Sequence, residues 1–141
     1  MVNIPEDSED YEDYMKGAPI NTNLYLQNGV LRHPESVYLW EVGNAVIAWH
    51  SSYYKTSVGR YKTAFKYLPT VDTGEEIWVY KKYNGIYNLL RYTVNFSGEI
   101  AADDTMSLES SKNTTEITLY TCVPIGTSKN RWVVKWVKIS N

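Results

Sequence analysis

Glu76-Ile77-Trp78-Val79-Tyr80-Lys81-Lys82, then Tyr83-Asn84-Gly85, then Ile86-Tyr87-Asn88-Leu89-Leu90-Arg91-Tyr92-Thr93-Val94-Asn95-Phe96: this stretch decides the fold. Two runs rich in aromatic and branched residues, which pack well on a pleated surface, flank an Asn-Gly pair. Asn-Gly suits a tight type I′ turn, because both central positions need positive φ. The stretch therefore predicts a β-hairpin, and the same pattern recurs on either side. Asn44–Trp49 is a compact apolar run of strand length opened by Gly43. Glu116–Cys122 and Arg131–Ile139 read as strong strands joined by Val123–Asn130, and Leu24–Gln27 as a short one before the turn Asn28-Gly29. Residues 59–72 hold the one convincing helical turn, with Ala64, Phe65 and Leu68 at three- and four-residue spacing and Pro69 as its stop. Residues 97–114 are polar and weakly patterned. They read as an 18-residue loop, longer than structural connections usually are and so functional or mobile. Short strands with one short helix make an all-β barrel or sandwich.

At 141 residues the chain fits one domain with a real core. Its net charge of −2 is unevenly spread, since six of the 16 acids fall at Glu6, Asp7, Glu9, Asp10, Glu12 and Asp13. From Tyr14 onward 14 basic residues face 10 acidic ones, about +4, too diffuse for a phosphate-binding stripe, so nucleic acid is not an expected partner. The acidic run reads as a flexible leader over residues 1–16, ahead of a domain at 17–141. It lacks the glycine-punctuated spacing of a calcium loop, and neither a metal nor a cofactor is expected. No apolar run approaches the ~20 residues that span a bilayer. Residues 1–17 are acidic where a signal peptide is basic and then apolar. Either the protein is cytosolic or its targeting segment lies outside this sequence.

A lone cysteine, Cys122, rules out an intrachain disulfide. Such a residue is ordinarily a small buried hydrophobe and becomes a nucleophile candidate only beside a histidine and a cation. Along its strand Ile117, Leu119 and Thr121 share one face, while Thr118, Tyr120 and Cys122 share the other. The thiol thus points away from the more apolar face, just before the break at Pro124 and Gly126. Val123–Asn130 has a length suited to an antiparallel hairpin, which places Arg131 across from Cys122. A guanidinium there favours the thiolate and can donate to a developing oxyanion. His50 ends the apolar strand ahead of Ser51-Ser52, held at a barrel mouth where proton transfer is practical. His33, before Pro34, sits in a surface-loop context and reads as structural or solvated.

Thr118-Leu119-Tyr120-Thr121-Cys122 matches the Thr-Leu-x-Thr-Cys signature of sortases, and the continuation to Arg131 resembles their Cys-x-Pro-x-Gly…Arg segment. Gly43-Asn44-Ala45-Val46-Ile47-Ala48-Trp49-His50-Ser51-Ser52 resembles the family's Gly-Asn…Ile…Gly-His-Ser segment. Gly59–Phe65 and Gly74–Tyr80 resemble the stretch that follows, so the likeness covers roughly residues 26–139 in the family's order. The resemblance implies a closed eight-stranded β-barrel with one or two short helices, working as a cysteine transpeptidase. By motif, the Cys122 thiolate attacks an LPxTG-like sorting signal of a secreted surface protein, and His50, as imidazolium, protonates the departing amine. Arg131 stabilises the oxyanion or holds the substrate backbone. An amine of a peptidoglycan precursor or a pilin lysine then resolves the thioacyl-enzyme, with His50 as base; no Asp or Asn need orient the histidine.

Expected substrate-binding residues are Trp49, Ser51, Ala102, Asp103, Met106, Thr121 and Pro124. Asp104 lies in the same 97–114 recognition segment. Trp49 replaces the family's usual glycine and is expected to make a bulkier pocket wall. The family's membrane anchor is absent from this chain, and the implied location is the extracytoplasmic face of the bacterial membrane. Residues 6–14 could serve as the lid of pilin-polymerising members, although so acidic a stretch reads first as a disordered leader. Two other classes compete: a cysteine hydrolase that releases its acyl-enzyme to water, and a non-catalytic β-barrel binding module.

Overall fold

The computed structural model describes residues 30–50, 63–105 and 109–139, together with Asp13 and Lys16. Six strands fall among them: β1 (Leu31–Arg32), β2 (Gly43–Ala48), β3 (Glu76–Tyr83), β4 (Ile86–Ala101), β5 (Thr115–Val123) and β6 (Asn130–Lys138). They form one curled sheet in the order β1-β2-β5-β6-β4-β3. All neighbours are antiparallel except β2 and β5, which run parallel. The all-β architecture expected from the sequence is borne out, as a half-barrel whose described edges are β1 and β3. The Leu24–Gln27 strand, the Asn28-Gly29 turn and the acidic leader apart from Asp13 lie outside the described residues.

The hairpin that decided the fold forms as expected. Asn84 has φ 47° and Gly85 φ 79°, the pair of positive values a type I′ turn demands. Two expectations need correction. The helical turn near Pro69 is 3-10 rather than α-helical: Lys66, Leu68, Thr70 and Val71 each donate to the carbonyl three residues back. Pro69 lies inside the 3-10 segment Leu68–Thr70 rather than ending a helix, because a first-turn N–H has no acceptor to lose. Residues 97–101 are strand, not loop. β4 continues through Ser97, Gly98, Glu99 and Ile100 to Ala101, pairing with Val134 to Asn130 of β6 after a register shift between Val94 and Phe96. The shift admits one extra residue, and it obscures the alternation on which the sequence reading relied.

One face of the sheet carries the main core. Tyr92, Val94, Ile117, Val134 and Trp136 bury against Leu68, with Ile77, Val79, Leu90, Leu119 and Trp132 packed around them. Burial of side chains this large contributes ~2–3 kcal/mol each before the entropy of ordering is subtracted. Polar ties fix the registry. The Tyr92 hydroxyl donates to the Leu39 carbonyl. At the start of β2, buried Asn44 accepts from the Thr118 hydroxyl at 2.8 Å and donates to the Glu109 carbonyl at 3.0 Å. Asn44 therefore belongs to the scaffold, holding the loop before β5 against β2.

Candidate active site

β5 and β6 are in direct register from Glu116↔Val137 to Val123↔Asn130, and within that ladder Cys122 faces Arg131. Opposed residues of adjacent strands point to the same side of the sheet, with Cβ atoms ~4.5–5.5 Å apart. Leu119 and Ile117 turn to the core cluster, so alternation turns Cys122 and Arg131 to the other face. Cys122 is half-buried. The Arg131 guanidinium is held by its own connection: Nη1 donates to the Ser128 carbonyl at 3.0 Å and to the Asn130 carbonyl at 3.1 Å.

His50 arrives from the other flank of β5. The parallel ladder runs from Gly43↔Thr115 to Ala48↔Tyr120. It is extended by the Trp49 N–H donating to the Tyr120 carbonyl at 3.3 Å. The Thr121 hydroxyl closes it, donating to the Trp49 carbonyl at 2.7 Å. His50 follows two residues past the end of β2 at Ala48, and the same register continued points it toward Cys122. β5 and β6 thus hold cysteine opposite arginine, and the segment leaving β2 carries the histidine. Burial lowers the His50 imidazole pKa below its ordinary 6.5.

Tyr120 also faces this side, and the sequence reading passed it over. Burial raises its phenol pKa, while Arg131 lowers it and Cys122 raises it, which places the hydroxyl within the field of both groups. The signal was present in the sequence, since Tyr120 stands two residues before Cys122 on one strand and shares its face.

The remaining expected site residues divide. Trp49 is only 3% exposed and alternates away from His50, although its ring stays 6.0 Å from the imidazole, tilted by 58°. Its bulk goes into the interior rather than into a pocket wall beside the thiol. Thr121 is 1% exposed on the core face and its hydroxyl is committed to the Trp49 backbone, so it does not line the cysteine's face. Ala102, Asp103 and Asp104 are exposed in the turn that follows β4, and Pro124 is exposed just past Cys122. Ser51 and Met106 lie outside the described residues. His33 is half-buried after β1, where its Nδ1 accepts from the Glu35 N–H at 3.3 Å. It lines a pocket with Glu35, Ser36, Val37, Asn44, Val46 and Ser110. That pocket opens at the start of β2, four to six residues and ~13–20 Å of strand from His50, so it is separate from the cysteine's surroundings.

The fold is an all-β half-barrel with a cysteine opposite an arginine, and the comparisons give it a family. The Sortase domain model matches residues 4–138, and the chain belongs to the sortase family. Sortase C1 of group B Streptococcus pilus island 1 is similar in structure, with a TM-score of 0.65, 23% identity, and coverage of 84% of this chain and 55% of that one. A Clostridium perfringens sortase D5 transpeptidase gives 0.64, 22%, 82% and 65% in the same order. A lid mutant of sortase A from Corynebacterium diphtheriae gives 0.67, 21%, 98% and 83%. The chain therefore spans little more than half the length of the streptococcal structure. At these identities the neighbours establish the fold. No curated protein matches the chain.

Proposed function

We propose that this chain is a sortase-type cysteine transpeptidase, which cleaves an LPxTG-like sorting signal and passes the acyl group to an amine. The observation that carries the reading is the Cys122↔Arg131 pairing across β5 and β6, with His50 two residues past the end of β2, the strand parallel to β5. In the proposed sequence, His50 takes the Cys122 proton and the thiolate attacks the scissile carbonyl. The resulting imidazolium donates that proton to the departing amine, leaving a thioester on Cys122. An incoming amine then attacks the thioester, His50 takes its proton, and the thiol is restored as the new amide leaves. Arg131 donates to the oxyanion in both tetrahedral intermediates. Ala102, Asp103, Met106 and Pro124 are proposed to border the peptide. Trp49 and Thr121 act through the backbone and ring of the β2 end.

The acceptor class is proposed as a pilin lysine or a peptidoglycan-precursor amine, a choice supported by the pilus sortase among the structural neighbours. The proposed place of action is the outer face of the bacterial membrane, with residues 17–141 as the catalytic domain. Mixing the protein with a fluorogenic LPxTG-type peptide and either oligoglycine or a lysine peptide, then reading products by mass spectrometry, tests this. A ligated product lost in Cys122→Ala supports the proposal. Cleavage that yields acid alone with every amine replaces it with the hydrolase reading.

A further inference from the structure

The β3–β4 hairpin has an outer face that the core does not explain. Ile77, Val79 and Leu90 turn inward and pack on the core cluster. The alternate residues are paired across the hairpin as Trp78↔Arg91, Tyr80↔Leu89 and Lys82↔Tyr87. On this side Trp78 is 60% exposed, Tyr80 61%, Tyr87 63% and Leu89 39%. The outward side of an antiparallel sheet is normally polar, so a contiguous block of four large apolar side chains there calls for an occupant. The hairpin also projects. Pairing of β4 with β6 begins only at Tyr92↔Lys138, so residues 86–90 have β3 as their ladder partner among the described residues. Tyr83 and Ile86, paired at the tip on the opposite side, are exposed as well.

The charges beside the block select the occupant. Glu76 is the one acid from Glu76 to Arg91, and it is bound to Arg91 at 2.8 Å. That leaves Lys82 as the net positive charge of this face, since Lys81 alternates with Ile77 and Val79 to the other. The Lys82 ammonium lies 5.4 Å from the centre of the Tyr87 ring on that face. Protein–protein interfaces favour aromatics but are depleted in lysine, and even a standard-sized one takes ~20–30 residues a side. Tryptophan and tyrosine edged by lysine is instead the composition of the membrane–water boundary, where rings sit at headgroup level and ammonium groups meet lipid phosphates.

We propose that the outer face of the β3–β4 hairpin is a docking surface for an anionic lipid bilayer, seating Trp78, Tyr80, Tyr87 and Leu89 among the headgroups with Lys82 on the phosphates. The surface excludes His50, Cys122 and Arg131, so it stands or falls apart from the transpeptidase reading. Among the described residues no helix is long and apolar enough to cross a membrane, and this contact is peripheral. It holds the domain by one finger rather than by a span.

The test is co-sedimentation of the full chain with phosphatidylcholine vesicles, with and without phosphatidylserine. The expected result is binding to the serine-containing vesicles that exceeds binding to neutral ones and weakens with salt. It should fall about fivefold for Lys82→Ala, and be lost in Trp78→Ser/Tyr87→Ser. All these side chains are at the surface, and an unchanged urea midpoint certifies that each variant is folded. Three results overturn the proposal: no binding to either vesicle, equal binding to both, or binding that survives the aromatic double substitution. A concentration-dependent dimer abolished by the same substitution also overturns it, assigning the face to a second copy of the chain.

Discussion

Replacing Thr121 with valine probes the link between the scaffold and the candidate site. The side chain is 1% exposed and its hydroxyl donates to the Trp49 carbonyl at 2.7 Å, tying β5 to the segment that leaves β2 just before His50. Valine matches threonine in shape but puts a methyl group against a buried carbonyl. Leaving that acceptor unmatched costs ~1–3 kcal/mol. With a urea m-value of ~1–3 kcal/mol/M for a domain of this size, the unfolding midpoint should fall by roughly 1 M. Tryptophan fluorescence is a suitable readout, since Trp49 and Trp136 are only 3% and 1% exposed. Thr121→Ser keeps the hydroxyl and should lose less than valine does. Because the bond also fixes the backbone next to His50, Thr121→Val should slow transpeptidation even where the protein is fully folded. A valine variant within ~0.5 kcal/mol of the parent, the range of neutral surface changes, would refute the reasoning. So would a serine variant that falls as far as valine.

Acidification should destabilise the protein through its two histidines. Burial lowers both; for His33, Glu35 raises the value and Arg32 lowers it. Each native value lies below the ordinary 6.5, so near that pH the unfolded chain holds more protons and stability rises with pH. Urea midpoints should therefore fall as pH drops from 7.5 toward the native values, with a shallower slope in His50→Gln; a flat profile contradicts the burial. Trp136→Ala removes the largest fully buried side chain. It should cost ~3–5 kcal/mol, a large share of a domain's stability, visible as a lost or strongly shifted thermal transition. Gly85→Ala puts a Cβ at φ 79° in the turn and should cost ~1–2 kcal/mol, read in the same urea titration.

How far the sequence sufficed depends on which local signals survive folding. The Asn84-Gly85 turn was legible because its requirement for positive φ is local, and the structure meets it. The opposition of Cys122 and Arg131 was legible too, since an eight-residue connection and a period of two fix a hairpin register. The extension of β4 through Ser97-Gly98-Glu99 was not. Its polar residues resemble a loop, and only pairing with β6 makes them strand. Trp49 was misplaced because attention to its bulk overrode alternation, which sends it inward whenever His50 faces Cys122. Tyr120 was missed for the converse reason: its position marked it, but a variable place in a motif attracts no notice. The approach of β2 alongside β5 joins residues about seventy apart, and no local pattern encodes such a parallel pairing.

Intact-protein mass spectrometry after mixing the chain with a sorting-signal peptide, with no amine present, tests the central claim most directly. The account predicts a mass increase equal to the acyl portion of the peptide, mapped to Cys122 and discharged when an amine is added. Absence of any adduct across a panel of sorting motifs, or an adduct that persists in Cys122→Ala, would contradict it.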